Sequence, residues 1–462
     1  MPNQASALSG RFDVAVIGAG IVGCAIARRF ALAGARVAVI EKAVDILDGA
    51  SKGNSAILHT GFDAPVGSLE HSCIASGYAE YLSIHARLGL PLLRSGALVV
   101  AWTEEEEAIL PALIEQAHRN GVTDVEALSA ASLRAAEPGL SERARSGFRV
   151  PREYLIDPWS APFAYLLQAC ENGAELLRGA EVTAGRRDGD WRLETTRGTV
   201  RAGLVVNAAG LWGDLVDEKL IGRRDFHIKP RKGQFVVYDK PAAALASHII
   251  LPVPNKVTKG VVVCRTAFGN LLVGPTAEDQ DDREHAVLVS ETLAFLRRRG
   301  EEILPALKGH AVTALYAGLR PATEFKDYQI RSHDGLSYIT VGGIRSTGLS
   351  AALGIASHVQ ALAKLALTPP AAPAWPTVSN ISEHAPRDWH DAGNGGVVCH
   401  CEMVTRREIL AALDGPLAAR SLAGLKRRTR VTMGRCQGFY CTAELSRLTQ
   451  DRFDRAMAEV AG

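Results

Sequence analysis

The first forty residues carry the clearest hydrophobic pattern in the chain. A short apolar run, Phe12 to Ile17, meets glycines at 18, 20 and 23. The stretch IVGCAIARRFALAG follows, then a second apolar run, ARVAVIEK, ending in Glu41 and Lys42. Short apolar runs bounded by glycine predict buried strands, and the longer stretch between them predicts a helix stopping at Gly34. LVVNAAGLWG, ending at Gly213, repeats strand, small residues and turn. DFHIKPRKGQFVVYD and KGVVVCRTAFGNLLVGPTAED alternate apolar positions between Gly and Asn turns, which predicts a large antiparallel sheet. Leu90 to Gly147 looks charged and helical, with Glu104 to Glu107 as a solvated first turn. Asp157-Pro158 predicts a turn and cap before a helix. LSYITVGGIRSTGLSAALGIASHV predicts strand, glycine turn and a helix starting near Ser346 to Ser350. Thr368 to Gly396, rich in Pro, Ala and Gly, has no period and predicts a linker or a wrapping segment. After it, Thr405 caps a helix, RREILAALD.

Composition adds bounds. At 462 residues, 47% hydrophobic and 22% charged, the chain predicts a soluble protein of two or three domains. Net charge is +2, but the segment from Gly396 holds 11 Lys and Arg against 7 Asp and Glu. Lys426, Arg427, Arg428 and Arg430 concentrate that excess, as a solvated helix end or as a docking patch for an acidic partner or anion. No aromatic-interleaved basic stripe accompanies it, so nucleic acid is not expected. No apolar stretch is long enough for a membrane span and no secretory leader opens the chain; peripheral membrane association and oligomerisation stay open. Cys24, Cys73, Cys170 and Cys264 are scattered singly, which suits a reducing, cytoplasmic compartment.

Two motifs carry chemistry. Gly18, Gly20 and Gly23 stand at G-x-G-x-x-G spacing between the two strands, and Glu41 lies 18 residues beyond Gly23. The first glycine permits a tight turn, the second lets a pyrophosphate approach the backbone, and the third lets helix and strand pack. The helix N-terminus supplies N–H groups, and Glu41 suits ribose hydroxyls. At the other end, Cys399 and Cys401 are answered by Cys436 and Cys441. Four thiolates suit an iron–sulfur cluster or zinc, although zinc sites usually show Cys-x-x-Cys on both sides.

The stretch after Glu41 resembles the FAD-dependent amino-acid and glycerol-phosphate oxidoreductases of the D-amino-acid oxidase superfamily. The shared words are Ser51, Asn54, Ser55, His59 and Gly61 in S-x-x-N-S-x-x-x-H-x-G, then Asp157-Pro158-Trp159, GLRPAT and GIRSTGL. C-H-C-E-x-V-T-x-x-E-I and M-G-R-C-Q-G-x-x-C resemble the bacterioferritin-associated-ferredoxin type of [2Fe–2S] module, with Phe439-Tyr440 where small residues are common. The resemblance implies an α/β fold: a Rossmann-like FAD-binding domain, an antiparallel-sheet substrate domain and a small helical, cysteine-ligated C-terminal domain. It implies FAD-binding segments at 1–90, 148–225 and 321–368 and a helical part of the substrate domain at 91–147. The substrate sheet would span 226–320, a linker 369–396 and the [2Fe–2S] domain 397–462. FAD would lie against Gly18, Gly20, Gly23, Glu41, Lys42, Ser51, Asn54, Ser55, Val182, Ala208, Gly210, Gly343, Gly348 and Leu349.

The implied reaction is hydride transfer from a small anionic hydroxy substrate, similar to glycerol 3-phosphate, to the flavin. His59 would take the hydroxyl proton, and Arg320 with Arg345 would hold the anion. A structural ion pair of Arg320 with Glu324 or Asp327 is the alternative for that residue. Lys229, Arg231, Lys232, Lys256 and Lys259 are further anion candidates, each also readable as surface charge. Electrons would leave through the cluster held by Cys399, Cys401, Cys436 and Cys441 to an acceptor protein or a quinone-linked partner. Open alternatives are an L-2-hydroxyglutarate-type dehydrogenase, an amino-acid or amine oxidase with structural zinc, and a non-catalytic electron-relay subunit.

Overall fold

The structure, a computed structural model, describes residues 10–254, 260–454 and 457. β1 (Arg11–Ile17), α1 (Ile21–Leu32) and β2 (Val37–Glu41) form the expected βαβ unit, with β1 and β2 parallel. β1 pairs on its other side, also in parallel, with β3 (Gly198–Asn207). Glu175–Arg178 extends the sheet beyond β2, and Tyr338–Gly342 beyond the end of β3, both in parallel. Strands Val182–Asp188 and Asp190–Thr195 complete the β3 side as an antiparallel hairpin. Strands buried on both faces read as continuous apolar runs, which is why β1 and β2 are so legible.

Among the helices covering this sheet, α2 (Leu69–Ile84) and α4 (Gly348–Ala363) touch backbone to backbone, and α3 (Ser160–Glu171) packs on α1. A Cβ on Gly77 would lie 2.3 Å from Ser350 O, and one on Gly354 2.1 Å from Cys73 O. Only glycine lets these two helices approach so closely. Asp157 accepts from Trp159 N and Ser160 N and so caps the start of α3.

A second sheet has nine strands among the described residues. Its spine is β4 (Lys229–Tyr238) paired antiparallel with β5 (Val312–Ala322). The sheet departs from the sequence expectation in two ways. Ala97–Ala101, Glu126–Ser129 and Ser146–Val150, inside the stretch expected to be helical, are strands of it; only Glu104–Arg119 and Ala130–Ala136 are helices there. It is also not purely antiparallel, because Ile249–Pro252 runs parallel to Ala97–Ala101. The run ALVVA is buried throughout, and so short an apolar run has no period to separate strand from helix.

Residues 397–454 form a small lobe. Val397–Cys399 and Val404–Thr405 make a two-stranded ribbon, followed by helices Arg406–Ala412, Leu422–Thr429 and Thr442–Leu448. A capping box joins Thr405 and Glu408. Val404, Ile409, Leu425, Val431 and Leu445 are fully buried in the lobe's own core. Such burial contributes roughly 1.5–3 kcal/mol per aliphatic side chain.

The basic cluster of this lobe is neither a solvated helix end nor a patch for an outside partner. Arg428 pairs with Asp45 at 3.2 Å and Arg427 with Asp48 at 3.2 Å, both acids on the loop after β2. Arg427 is 8% exposed and Asp45 1%. The acidic partner is therefore the body of the same chain built on the first sheet. The segment before the lobe is a strap lying on that body. Ala374 O accepts from Gln168, Val378 N donates to Leu88 O, and Glu383 N donates to Ala267 O.

Candidate active site and cysteine lobe

One cavity of about 1380 Å³ opens between the two sheets. That exceeds the roughly 300–1,000 Å³ of a small-ligand pocket, as a dinucleotide plus substrate requires. Gly18, Gly20, Glu41, Lys42, Ser51, Asn54, Ser55, Val182, Ala208, Gly210, Gly343, Gly348 and Leu349 all line it. So do His59, Arg320 and Arg345. Gly23 does not; a Cβ there would lie 1.9 Å from Gly18 O, so its absence lets α1 pack on the turn.

The front of the cavity suits FAD on its own geometry. A Cβ on Gly18 would meet Ala208 O at 2.6 Å, and one on Gly20 would meet Ser51 Oγ at 3.1 Å. Gly18 also has φ +102°, outside the ordinary range for a side-chain-bearing residue. The first turn of α1 therefore stays bare toward the cavity, a cradle for the pyrophosphate. Ser51 Oγ accepts from Ile21 N at 3.0 Å, so this serine also caps α1. Glu41 accepts from Ala19 N and Ala43 N, one per carboxylate oxygen, which leaves each oxygen a further lone pair. Burial pushes its carboxyl above the usual range. Lys42 lies over the Trp212 ring, 3.9 Å from its centre. Asn54 pins its own loop by accepting from Ala56 N, while its carbonyl accepts from Tyr316 Oη at 2.7 Å.

Arg320 sits on β5 directly across from Arg231 on β4. Asp279 neutralises Arg231 at 2.6 Å. Arg320 has no carboxylate within ion-pair distance among the described residues; its Nε donates to Arg231 O, and Nη2 to Lys232 O and Thr276 O. Burial, and then the Arg231 charge, push the guanidinium down to about 10. The proposed structural partners are engaged elsewhere: Glu324 accepts from His227 N, and Asp327 from Leu69 N and Glu70 N at the start of α2. A charged group aimed into a cavity without a counter-ion is the arrangement an anionic ligand completes. Arg345 donates to Lys326 O at 2.5 Å. Lys232 is paired with Glu278, Lys229 is exposed, and Lys256 and Lys259 lie outside the described residues.

His59 has a partner that nothing in the chain's motifs announced. Its Nδ1 is 2.9 Å from Glu153 Oε2. Glu153 is fully buried, and its other oxygen accepts from Thr60 N at 2.6 Å and Thr60 Oγ1 at 2.7 Å. The two residues meet because strand Ile57–Leu58 pairs antiparallel with Tyr154–Ile156, placing Leu58 opposite Tyr154. One step further along that register, His59 faces Glu153.

In the lobe, no three His, Cys, Asp or Glu side chains among the described residues close on a single metal ion. The thiols instead stand in two apposed pairs, Cys401 beside Cys436 and Cys399 beside Cys441. Cys399 also acts on Cys401, and Cys436 on Cys441, so the four thiols form one group, the donor set an iron–sulfur cluster or zinc takes. The backbone around them is adapted to it. A Cβ on Gly434 would lie 2.3 Å from Cys401 Cβ, and Gln437 and Gly438 turn through positive φ. Backbone N–H groups of Tyr440, Gly438 and Phe439 hold the Cys436 thiol below its ordinary value, favouring the thiolate a metal needs. Phe439 and Tyr440 stand out into solvent, 81% and 75% exposed.

The two sites are joined by a chain of contacts. Arg430, 4% exposed and at φ 67°, donates to Glu402, the neighbour of Cys401, at 2.8 Å. Its guanidinium lies 4.1 Å from the centre of the Phe268 ring, which stacks on Trp159 at 5.3 Å. Trp159 Nε1 donates to the carbonyl of Lys52, a residue of the cavity wall.

Comparison with known proteins agrees with this geometry. Residues 13–362 match the FAD dependent oxidoreductase family, and residues 397–450 match the BFD-like [2Fe-2S] binding domain. A glycerol 3-phosphate dehydrogenase of Caloramator mitchellensis is 33% identical, over 97% of this chain and 96% of that protein. One component of the anaerobic glycerol-3-phosphate dehydrogenase of Escherichia coli is 27% identical, over 95% of this chain and 88% of its own. The FAD-bound L-alpha-glycerophosphate oxidase of Mycoplasma pneumoniae superposes with TM-score 0.75 at 28% identity, covering 79% of this chain and 98% of that one. The cofactors are FAD and a [2Fe–2S] cluster. The chain thus belongs to the FAD-dependent oxidoreductase family, as a glycerol-3-phosphate dehydrogenase-like enzyme with a BFD-like [2Fe–2S] domain.

Proposed function

We propose that the enzyme oxidises the carbinol of a small anionic hydroxy compound, glycerol 3-phosphate first among them. The electrons then leave through the C-terminal cluster. The observation that carries this reading is one cavity with His59 on one wall and the counter-ion-free Arg320 on another. Arg320, with Arg345, holds the anion and so fixes where the carbinol carbon lies. His59 takes the hydroxyl proton. FAD, when bound, would supply the hydride acceptor, and a cluster held by Cys399, Cys401, Cys436 and Cys441 would supply one-electron transfer. Two relatives named as dehydrogenases run almost the full length of the chain, whereas the oxidase covers about four-fifths of it. That difference supports an acceptor protein or a quinone-linked partner as the electron outlet.

Among the described residues no helix is long and apolar enough to cross a membrane, so any membrane contact of the chain is peripheral in this reading. Free thiols throughout the described residues suit a reducing cytoplasm. The deciding experiment is anaerobic mixing of the holoenzyme with glycerol 3-phosphate, L-2-hydroxyglutarate and amino acids, following flavin absorbance. Glycerol 3-phosphate should bleach it. Bleaching by an amino acid alone would replace the proposal with an amine-oxidising enzyme.

A further inference from the structure

Glu153 presents an unusual situation. It is a fully buried carboxylate whose described polar contacts are one imidazole nitrogen and the amide and hydroxyl of one threonine. A carboxylate in such a place needs donors on every side. Thr60 supplies two of them to Oε1, so Oε2 is left for His59 Nδ1. Since Thr60 N–H can only donate, Oε1 must accept, and the third donor must come from the imidazole. That fixes the proton on Nδ1 and leaves Nε2, which has no hydrogen-bond partner among the described residues, with its lone pair. His59 lines the cavity, and its main chain is held as well, through His59 N donating to Ser350 Oγ at 2.8 Å.

From this geometry we infer that Glu153 is the positioning residue of the reaction, setting the His59 tautomer and steadying the imidazolium that forms when Nε2 takes the substrate proton. The inference rests on the proposed role of His59. The step balances within that reading: the O–H bond breaks, its proton goes to Nε2, the hydride leaves carbon for the flavin, and the C–O bond becomes a carbonyl. Glu153 exchanges no proton; it stays an anion beside a ring whose charge goes from zero to plus one. Arg152, next along the chain, is bonded to Asp124 at 2.8 Å, and Glu70, in the cavity wall, accepts from Thr347 Oγ1 at 2.6 Å.

Thr60 makes the inference sharply testable. In Glu153→Gln the amide oxygen must face the two Thr60 donors, so the NH₂ group faces His59 Nδ1. Nδ1 becomes an acceptor and the proton moves to Nε2, the atom that has to be bare. Orienting partners of this kind are worth about 10- to 100-fold where measured, and a forced wrong tautomer has cost as much as ~10⁴-fold in a serine protease.

The test has three arms on the FAD-loaded holoenzyme. Nitrogen-15 imidazole NMR of the unsubstituted protein, with His59 assigned by its loss in His59→Gln, should place the neutral-state proton on Nδ1; a proton on Nε2 overturns the inference without any Glu153 variant. Stopped-flow bleaching of Glu153→Gln should fall at least tenfold at the plateau, with the ascending limb of its pH profile moved to lower pH, because the imidazolium has lost its anion. Glu153→Asp, which keeps the charge, should recover part of the rate. Unchanged plateau and limb in Glu153→Gln at normal FAD content also overturn it. If His59→Gln itself bleaches normally, the failure lies in the proposed base and not in Glu153.

Discussion

The cavity and the cysteine lobe solve opposite problems with the same side chain. In the cavity a half-buried arginine, Arg320, has no counter-ion among the described residues and leans on main-chain carbonyls. In the lobe Arg428 and Arg430 are placed deeper still, but Asp45 and Glu402 meet them. Burial first, and neighbouring arginines after it, depress both Arg320 and Arg428 to about 10. What differs is the answer: an incoming anion in one case, an acid of the same chain in the other. In the proposed reading an unanswered charge of this kind marks a binding site, and an answered one marks an assembly joint. The contrast separates Arg320 from the basic cluster, two features that looked alike in the sequence.

Four measurements would break or sharpen the contrast. Replacing His59 by Ala should slow substrate bleaching by roughly 10²–10⁴-fold while iron content stays normal, and Cys436→Ser should do the reverse. Loss of bleaching in Cys436→Ser would mean the two regions are not separable. The joint comes next. A Cβ on Gly424 would lie 2.2 Å from the Asp45 carboxylate, and Asp45→Ala strips Arg428 of its anion. Either change should lower the stability of the lobe by about 3–5 kcal/mol, read as early proteolysis within 369–396. The binding arginine follows. Arg320→Leu should raise KM by the equivalent of about 1.5–3 kcal/mol and, unlike the joint variants, leave Tm unchanged or higher. The smallest effect is in pH. Burial lowers the Arg320 pKa, so the cation is retained at neutral pH and lost as pH climbs toward 10. KM should be flat near neutrality and rise there, while the Arg320→Leu enzyme shows no such rise.

Much of this was readable beforehand, for a physical reason. The βαβ unit and the cysteine pairs are local patterns: glycines two and three apart, thiols two and five apart. The loop from Ser51 to Gly61 is a local word as well. What stayed hidden was long-range. Glu153 gave no signal because its meaning comes from a strand register joining residues 94 positions apart. The docking role of Arg427 and Arg428 was hidden because their acids lie nearly the whole chain away. ALVVA hid a strand because five buried residues have no period.

The Arg430–Phe268–Trp159 stack sets a limit on how this molecule can be taken apart. A fragment stopped at residue 396 would not be a tidy flavoenzyme. It would carry an uncovered aromatic face at Phe268 and an Asp45 left with Arg178 alone, both made to be sealed. Such a fragment should clump, so in this chain the lobe acts as a cover for the body as well as a holder of thiols.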